Sequence, residues 1–402
     1  MKSKFILAGV AAAATASVLS MTAPAALADP GAPGRTYTAV GSDTIQDVWN
    51  ALSNGTSGIN SGAPVIVDGS NNADVASYDA TPQNTNIAPK TTTYLRPTGS
   101  GNGVKALSAS WDSSNHNWLK WDSATNSTVT QTLVNGDVDF ARSSSGPSVA
   151  GSDLTYIPFA RDAVSVAFTK ANAADPTPNF TTNELEAIYG GPGVATDPAV
   201  SWDNNTTPTK VFVNFGAGAI EVHPYLPQSG SGTRQFFLGA LGISNTATFP
   251  SYVNTQETYI ENDGARISGT TDALIPFSAA QWIAQKSGAA TNTTTATEDL
   301  STLNSTDPLD RSGATPLPGA LYGNKNVAGL YTQLTTSGVG VFARDTYDVI
   351  PSAHYTGGAS VDTTLVSHLT IDLNTANARA VITKFGFGNL ATRTVKLSGY
   401  VH

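Results

Sequence analysis

Short apolar segments alternate with small polar loops along most of the chain. Residues 36–40 alternate as a strand does, and a Gly-Ser-Asp-Thr loop follows at residues 41–44. Apolar residues then recur at helical spacing, at Ile45, Val48, Trp49 and Leu52. The same order of strand, loop and helix returns at residues 94–110 and 211–241. This pattern predicts an α/β fold with largely parallel sheets.

Two further segments have contrasting patterns. Thr181 and Glu184 have the spacing of a capping box, Leu185 begins an apolar helix face, and a Gly-Gly pair at residues 190–191 ends the predicted helix. The stretch from Ala289 to Pro318 is instead rich in Thr, Ser, Asn and Pro, with little apolar periodicity. There we expect a long surface insertion without regular elements.

The tetrapeptide Phe-Ala-Arg-Asp occurs twice, at residues 159–162 and 342–345. Strand-like residues flank each copy. A repeat of four residues by chance is unusual in a chain of this length, but it is not excluded. The alternative interpretation is that these paired extended segments are the two crossovers of a two-domain protein, where the chain leaves one domain and later returns.

The N-terminus has the features of a secretory signal peptide. Lysines at positions 2 and 4 precede an apolar run from Phe5 to Met21, and Ala26-Leu27-Ala28 is a small-x-small cleavage site. The run is short and Ala-rich, which disfavours a transmembrane anchor, and no later stretch approaches the roughly 18 apolar residues of a membrane span. We expect cleavage after Ala28, a flexible tail at residues 29–35, and a secreted (extracellular or periplasmic) protein without membrane insertion.

Composition excludes several classes of protein. Charged residues make up 13% of the chain, about half of the usual share, and the net charge is −9 without a basic run. A nucleic-acid-binding protein of this size would normally carry a basic stripe, so we expect no nucleic-acid partner. The chain has no cysteine, which excludes disulfides, zinc ribbons and thiol catalysis, and also removes the residue that carries a lipid anchor.

Three Ser/Thr/Gly loops between a strand and a helix are candidate anion sites. Such a loop presents backbone N–H groups, hydroxyl donors and the positive end of a helix dipole to one point, so it needs no lysine. A fourth segment, residues 138–146, ends a strand-like run in a cluster of hydroxyls. An ordinary helix cap explains any one of these loops. The repetition of the loops favours an oxyanion cage, with Arg142 and Arg234 as charge partners. The predicted ligand-binding residues are Ser42, Asp43, Thr44, Ser100, Gly101, Arg142, Ser143, Ser144, Ser231, Gly232, Thr233 and Arg234.

Four segments, in this order, resemble the phosphate-binding proteins of ABC transporters: residues 41–44, 99–105, 137–144 and 230–233. The resemblance covers residues 36 to 285 well and the C-terminal part loosely. It implies a type II periplasmic-binding fold, in which two α/β lobes joined by crossover strands close on an oxyanion. The family's ligand donors would correspond to Thr44, Ser100, Gly101, Ser231, Gly232 and Thr233.

The same resemblance implies an arrangement of lobes and a set of partners. Lobe I is expected at residues 36–155 plus 341–402, and lobe II at residues 156–340, including the insertion at 289–318. The expected function is capture of an inorganic oxyanion, with phosphate as the first candidate, for uptake by an ABC permease. We expect a monomer that needs no cofactor and no metal.

The chain departs from the family pattern at three positions. Ser144 stands where the family has an aspartate, and Pro227 and Ser229 stand where it has an arginine and an aspartate. A carboxylate that accepts the proton of hydrogen phosphate lets a site prefer phosphate to fully ionised sulfate, so its loss removes that discrimination. Asp43 supplies the missing acceptor if it points inward, or else caps the following helix. The choice between phosphate and sulfate stays open.

Catalysis is not expected. Asp137 and Asp139 alternate on a strand, so only one of them can face a site, and none of the five histidines has a metal-ligand pattern. Ser231 lacks the flanking glycines of a nucleophile elbow.

A second hypothesis is a secreted carbohydrate-binding or surface-interaction protein on the same fold, without a transport role. Trp111, Trp118 and Trp121 would then be its stacking platforms. The favoured interpretation of these tryptophans is that they anchor a Ser/Asn-rich insertion to the core.

Overall fold

A computed structural model describes residues 29–30, 35–122, 124–335 and 337–402. The predicted signal peptide and residues 31–34 of the predicted tail lie outside the described residues. In the described part, helices are α1 Gln46–Asn54, α2 Ser100–Trp111, α3 Thr182–Gly190, α4 Gly232–Ala240, α5 Ala279–Lys286, α6 Ser352–Tyr355, α7 Thr363–Thr370 and α8 Ala376–Lys384. None of these helices has the length and apolar character needed to cross a bilayer.

The strands are β1 Tyr37–Gly41, β2 Val75–Ser77, β3 Asn86–Ile87, β4 Tyr94–Leu95, β5 Asn117–Asp122, β6 Ser127–Thr132, β7 Phe140–Ser143, β8 Leu154–Thr169, β9 Asn179–Phe180, β10 Val200–Trp202, β11 Val211–Asn214, β12 Ala219–Leu226, β13 Asn254–Thr255, β14 Ala273–Ser278, β15 Glu298–Leu300, β16 Thr302–Leu303, β17 Leu309–Asp310, β18 Leu317–Pro318, β19 Ala343–Pro351 and β20 Lys396–Ser398. The predicted α/β architecture is confirmed. Short 3₁₀ turns lie between several of these elements.

The main sheet runs in the order β10-β11-β12-β14-β8-β19-β7-β1-β2. Strand β8 is buried along all of its 16 residues. Its first part pairs with β19 and its last part with β14, so this strand joins the two halves of the sheet. One core packs around Trp49 in the β1 half, and a second packs around Phe237 in the β12 half. The residue boundaries of the two lobes stay a prediction.

The two Phe-Ala-Arg-Asp copies lie side by side in the two central strands. Strands β8 and β19 are antiparallel, with Arg344 opposite Asp162 and Asp345 opposite Arg161. Because antiparallel partners run in opposite directions, two identical Arg-Asp pairs place each arginine beside an aspartate. Both resulting ion pairs measure 2.8 Å and are buried.

The expectation of largely parallel sheets is wrong. Strand β1 is parallel to both β2 and β7, but β19 is antiparallel to β7 and β8, and β14 is antiparallel to β8. The alternation of strands with helices predicted parallel neighbours, whereas the central pairing joins segments almost 200 residues apart, whose direction no local pattern encodes.

The segment from residue 289 to 318 also differs from the expectation, because it contains strands β15 to β18. Strand β15 adds to the edge of β8, and the leucines at positions 300, 303 and 309 are buried. These apolar residues are too sparse to produce a periodic signal, and their burial comes from partners elsewhere in the chain.

Helix α3 agrees with its sequence signals. The Thr181 hydroxyl accepts from the Glu184 N–H group, while the Glu184 carboxylate accepts from the Thr181 N–H group at 2.6 Å. Helices α2 and α4 begin at Ser100 and Gly232, whereas the sequence pattern predicts their first helical residues at Val104 and Arg234, after the glycine-rich motifs. The glycine-rich motifs are therefore the first turns of these helices, rather than loops before them.

Candidate functional site

Four hydrogen-bond donors converge on the carboxylate of Glu261. Its Oε2 atom accepts from the Thr233 N–H group at 2.8 Å and from the Ser231 hydroxyl. Its Oε1 atom accepts from the Thr44 hydroxyl at 2.9 Å and, more weakly, from the Ser42 hydroxyl at 3.4 Å. We call the donor groups of Ser42, Thr44, Ser231 and Thr233 the anion cage.

The anion cage forms because two chain segments end at the same place. Ser42 and Thr44 follow β1 and precede α1, whereas Ser231 is the N-cap of α4 and Thr233 lies in its first turn. The first N–H groups of a helix have no partner within the helix, so they are free to hold a carboxylate, and the helix dipole favours negative charge there. Four of the predicted ligand residues are thereby brought together around one anionic group.

Glu261 itself is a residue that sequence reasoning missed. It is 2% exposed and lies in an irregular segment after β13, where no motif or periodicity marks it. The next residue, Asn262, has a positive φ of 60° and anchors the segment. Its side-chain NH₂ group donates to the Thr44 hydroxyl at 3.1 Å, and its side-chain oxygen accepts from the Ser278 N–H group at 3.0 Å.

Asp43 is buried beside Glu261. Burial, followed by the negative charge of Glu261, raises the pKa of Asp43 well above its usual value. Burial also opposes ionisation of Glu261, but the neighbouring Asp43, the charge of Arg344 and the hydrogen bonds from Ser231 and Thr233 outweigh it and lower the pKa of Glu261 to about 2. The two pKa values thus shift in opposite directions, because burial and mutual repulsion both disfavour two negative charges in this place. No side chain caps helix α1 by a hydrogen bond, so Asp43 does not act as its cap.

A second group of predicted residues lies against the start of α4 and is bonded within itself. The hydroxyls of Ser100 and Ser144 are 3.1 Å apart, and the Ser144 N–H group donates to the Ser100 hydroxyl at 2.9 Å. The Gly101 N–H group donates to the carbonyl of Gly230 at 3.0 Å. A Cβ atom on Gly232 would collide with both serine hydroxyls, so only glycine permits this close approach. The remaining serine of the set, Ser143, donates to the Ser145 carbonyl.

The two predicted arginines hold the backbone around the anion cage. Arg142 is fully buried and donates to the carbonyls of Ser42 and Tyr78 at 3.3 and 2.6 Å, with further bonds to residues 39 and 77. Arg234 donates to the Pro227 carbonyl at 3.0 Å and to the side chain of residue 245. Their part in ligand binding stays a prediction.

Arg344 is the guanidinium group that reaches the anion cage. Its Nη2 atom donates to the Thr233 hydroxyl at 3.0 Å and pairs with Asp162 at 2.8 Å. Its Nη1 atom has no hydrogen-bond partner in the part of the chain that the structure describes. It also borders a cavity of about 250 Å³, which Gln235 and Phe236 of α4 line as well. The repeated tetrapeptide was the sequence signal for Arg344, but it indicated a crossover strand and not a place in the site.

The tryptophans are bound into the structure around β5 and α2. Trp118 is 1% exposed. The Trp111 indole donates to the Val138 carbonyl at 2.6 Å, and its ring lies edge-on to His354 with centroids 4.3 Å apart. These contacts agree with an anchoring role rather than with an open stacking platform.

The family model of the PBP superfamily domain matches residues 88–361. No curated protein sequence matches the chain significantly.

Solved structures similar to this chain include phosphate-binding proteins. A phosphate ABC transporter substrate-binding protein from Clostridium perfringens, with bound phosphate, is 11% identical, with 88% of this chain and 99% of that chain covered and a TM-score of 0.48. An ABC-type phosphate transport receptor from Vibrio cholerae is 13% identical, with 87% and 98% covered and a TM-score of 0.46.

Proposed function

Because the chain belongs to the periplasmic-binding-protein (PBP) superfamily, whose model spans most of it, we propose that it is a secreted solute-binding protein that captures an inorganic oxyanion. This membership confirms the expected two-lobed fold. Phosphate is the first candidate for the solute, and the anion cage is its proposed binding site.

One observation carries the proposal. Donors from the β1 half and from the β12 half of the molecule converge on a single anionic group, the Glu261 carboxylate. Carboxylate and phosphate groups both offer negatively charged oxygens that accept several hydrogen bonds. A set of groups arranged to hold one of them in a buried place is suited to hold the other.

The physical chemistry of the anion cage suits a small ion better than a large polyanion. Neutral dipoles supply most of the donors, so the site does not depend on long-range attraction and is compatible with a net charge of −9. Closing the two lobes around the ion would replace its hydration shell with the cage hydroxyls and the α4 N–H group.

Asp43 is the acidic group among the predicted ligand residues that faces the cage. In its protonated form it donates to a fully ionised anion, and in its ionised form it accepts a proton from hydrogen phosphate. Its protonation state therefore bears on the choice between phosphate and sulfate, which the titrations below measure.

Location and partners are part of the same proposal. We propose cleavage of the N-terminal signal peptide after Ala28, a free monomer outside the cytoplasmic membrane, and delivery of the solute to an ABC permease. The superfamily supports binding rather than catalysis. The carbohydrate hypothesis gains no support, because Trp111 and Trp118 are engaged in packing and hydrogen bonding.

Calorimetric titration of the mature chain, residues 29–402, tests the proposal. Phosphate, sulfate and a panel of sugars would each be titrated into the wild type, into Thr44→Val and into Thr128→Val on the exposed strand β6. Loss of a hydrogen bond to a charged group costs about 1.5–3 kcal/mol, so Thr44→Val should weaken oxyanion binding about tenfold or more. Thr128→Val should bind like the wild type. Heat from sugars alone, equal in all three proteins, would overturn the proposal.

A further inference from the structure

The Glu261 carboxylate stands where an external oxyanion would have to bind. Its two oxygens use the Thr233 N–H group and the hydroxyls of Ser231 and Thr44, which are three of the predicted ligand donors. A hydroxyl or amide hydrogen forms one well-aligned hydrogen bond at a time, so these groups do not hold Glu261 and a second anion together. The cage therefore contains either its own glutamate or a solute.

The surroundings make joint occupation costly. Glu261 is 2% exposed, and Asp43 next to it is buried. Neither carboxyl oxygen of Asp43 has a hydrogen-bond partner among the described residues. A second anion in this space would meet the Glu261 charge with little water to screen it. The nearest cation, Arg344, is already paired with Asp162.

The segment that carries Glu261 is held close to the cage. Asn262 bonds to Thr44 and to the N–H group of Ser278, and its carbonyl accepts from the Gln285 side chain at 2.8 Å. A group held on such a short tether acts at a high effective concentration. A free solute competes with the Glu261 carboxylate for the cage. The apparent affinity of the solute is therefore its intrinsic affinity multiplied by the fraction of molecules in which Glu261 has left the cage.

We propose that Glu261 is a tethered internal ligand of the anion cage, and that a solute oxyanion binds only by displacing its carboxylate. The identity of the solute rests on the proposed function. The competition between Glu261 and an external oxyanion for the anion cage does not. Glu261 thereby sets the affinity of the site and selects for anions that accept more hydrogen bonds than a carboxylate does.

Chemical rescue gives a direct test. Glu261→Ala removes the internal carboxylate and leaves room for a small external one. Glu257→Ala makes the same change four residues earlier, at a glutamate outside the anion cage that accepts hydrogen bonds from the exposed loop residue Ser229. Thermal unfolding would be followed for both variants and for the wild type, with and without acetate at matched ionic strength. Acetate should raise the melting temperature of Glu261→Ala alone.

Phosphate titration of the same proteins completes the test. Glu261→Ala should bind phosphate at least tenfold more tightly than the wild type, and Glu257→Ala should bind it like the wild type. Equal affinity in the wild type and Glu261→Ala, or weaker binding in the variant, would overturn the tethered ligand and leave phosphate capture intact. Acetate rescue without phosphate binding in any protein would uphold the tethered ligand and overturn phosphate capture.

A second variant covers the case in which Glu261→Ala does not fold. Glu261→Gln keeps the volume of the side chain and removes its charge, so a neutral amide holds the cage less firmly. This variant should bind phosphate more tightly than the wild type. An affinity equal to or below that of the wild type would contradict the proposal.

Discussion

Arg344 and Asp162 face each other across the two central strands, with Nη2 of Arg344 2.8 Å from Oδ2 of Asp162. Arg161 and Asp345 repeat the same pair one register position away, also at 2.8 Å. The other bonds of the two arginines differ: Arg344 donates to the Thr233 hydroxyl in the anion cage, whereas Arg161 donates to the carbonyls of residues 322 and 332. The Arg344 side chain thus links the two central strands, β8 and β19, to the candidate site.

Breaking the pair that does not touch the cage should destabilise the fold. Asp345→Asn leaves the buried Arg161 charge without its carboxylate, and such a change costs about 3–5 kcal/mol. Urea denaturation monitored by tryptophan fluorescence measures this loss. Glu221→Gln, which breaks the exposed pair with Lys210, is the control and should leave the transition midpoint unchanged. Similar midpoints for both variants would contradict the assignment of a buried, stabilising pair.

Substitutions of Arg344 and Arg161 should differ in their effect on oxyanion binding, although both arginines are buried in ion pairs. The lysine of Arg344→Lys is shorter and lacks the planar guanidinium group that donates to both Asp162 and Thr233. We therefore expect weaker oxyanion binding as well as lower stability. Arg161→Lys should lower stability without a comparable effect on affinity. Calorimetric titration and urea denaturation of both variants separate these effects. Equal changes in affinity would show that Arg344 acts only through the fold.

Two glycines of helix α4 provide a matched pair. Gly232→Ala places a Cβ atom against the hydroxyls of Ser100 and Ser144, and this should force α4 away from the cage and weaken anion binding. Gly239 has open space around its Cβ position, so alanine there should stabilise the helix by about 0.5–1 kcal/mol with binding unchanged. Melting temperatures and titrations of the two variants give the comparison. A Gly232→Ala protein with wild-type affinity would show that this close approach is unimportant.

Asp47 should make stability depend on pH. Burial, followed by the charge of Asp79, raises the pKa of Asp47 to about 6. A carboxyl whose pKa is raised on folding contributes its full stability below the unfolded pKa of 3.8, and this contribution is lost as the pH rises through about 6. Asp47→Asn lacks the ionisation, so its stability relative to the wild type should increase between pH 4 and pH 7. Urea midpoints across this range measure it. Thr128→Val on the exposed strand β6 removes no ionisable group, so as the control its curve should run parallel to that of the wild type.

Local sequence signals predicted the elements that depend on neighbouring residues. The capping box of α3, the apolar face of α1 and the strand β1 follow from hydrogen bonds and burial within a few residues of each other. The loops at Ser42–Thr44 and Ser231–Thr233 were also marked as donors, because a glycine and hydroxyl-rich turn before a helix exposes N–H groups wherever it occurs. Strand direction and the short strands after residue 289 were missed, since both depend on partners far along the chain.

The sequence by itself determined the fold class, the motifs that resemble those of phosphate-binding proteins, and all four donor residues of the anion cage. Only the tertiary structure decided what those donors hold. Glu261 reaches Thr44 from 217 positions away, and nothing near it in the sequence marks it as a partner of that loop. Arg344 likewise meets Thr233 only because β19 returns beside β8. A hydrogen bond requires its two atoms to lie within about 3.5 Å of each other. When the two residues are distant in sequence, that proximity is a property of the packed chain and not of any local pattern.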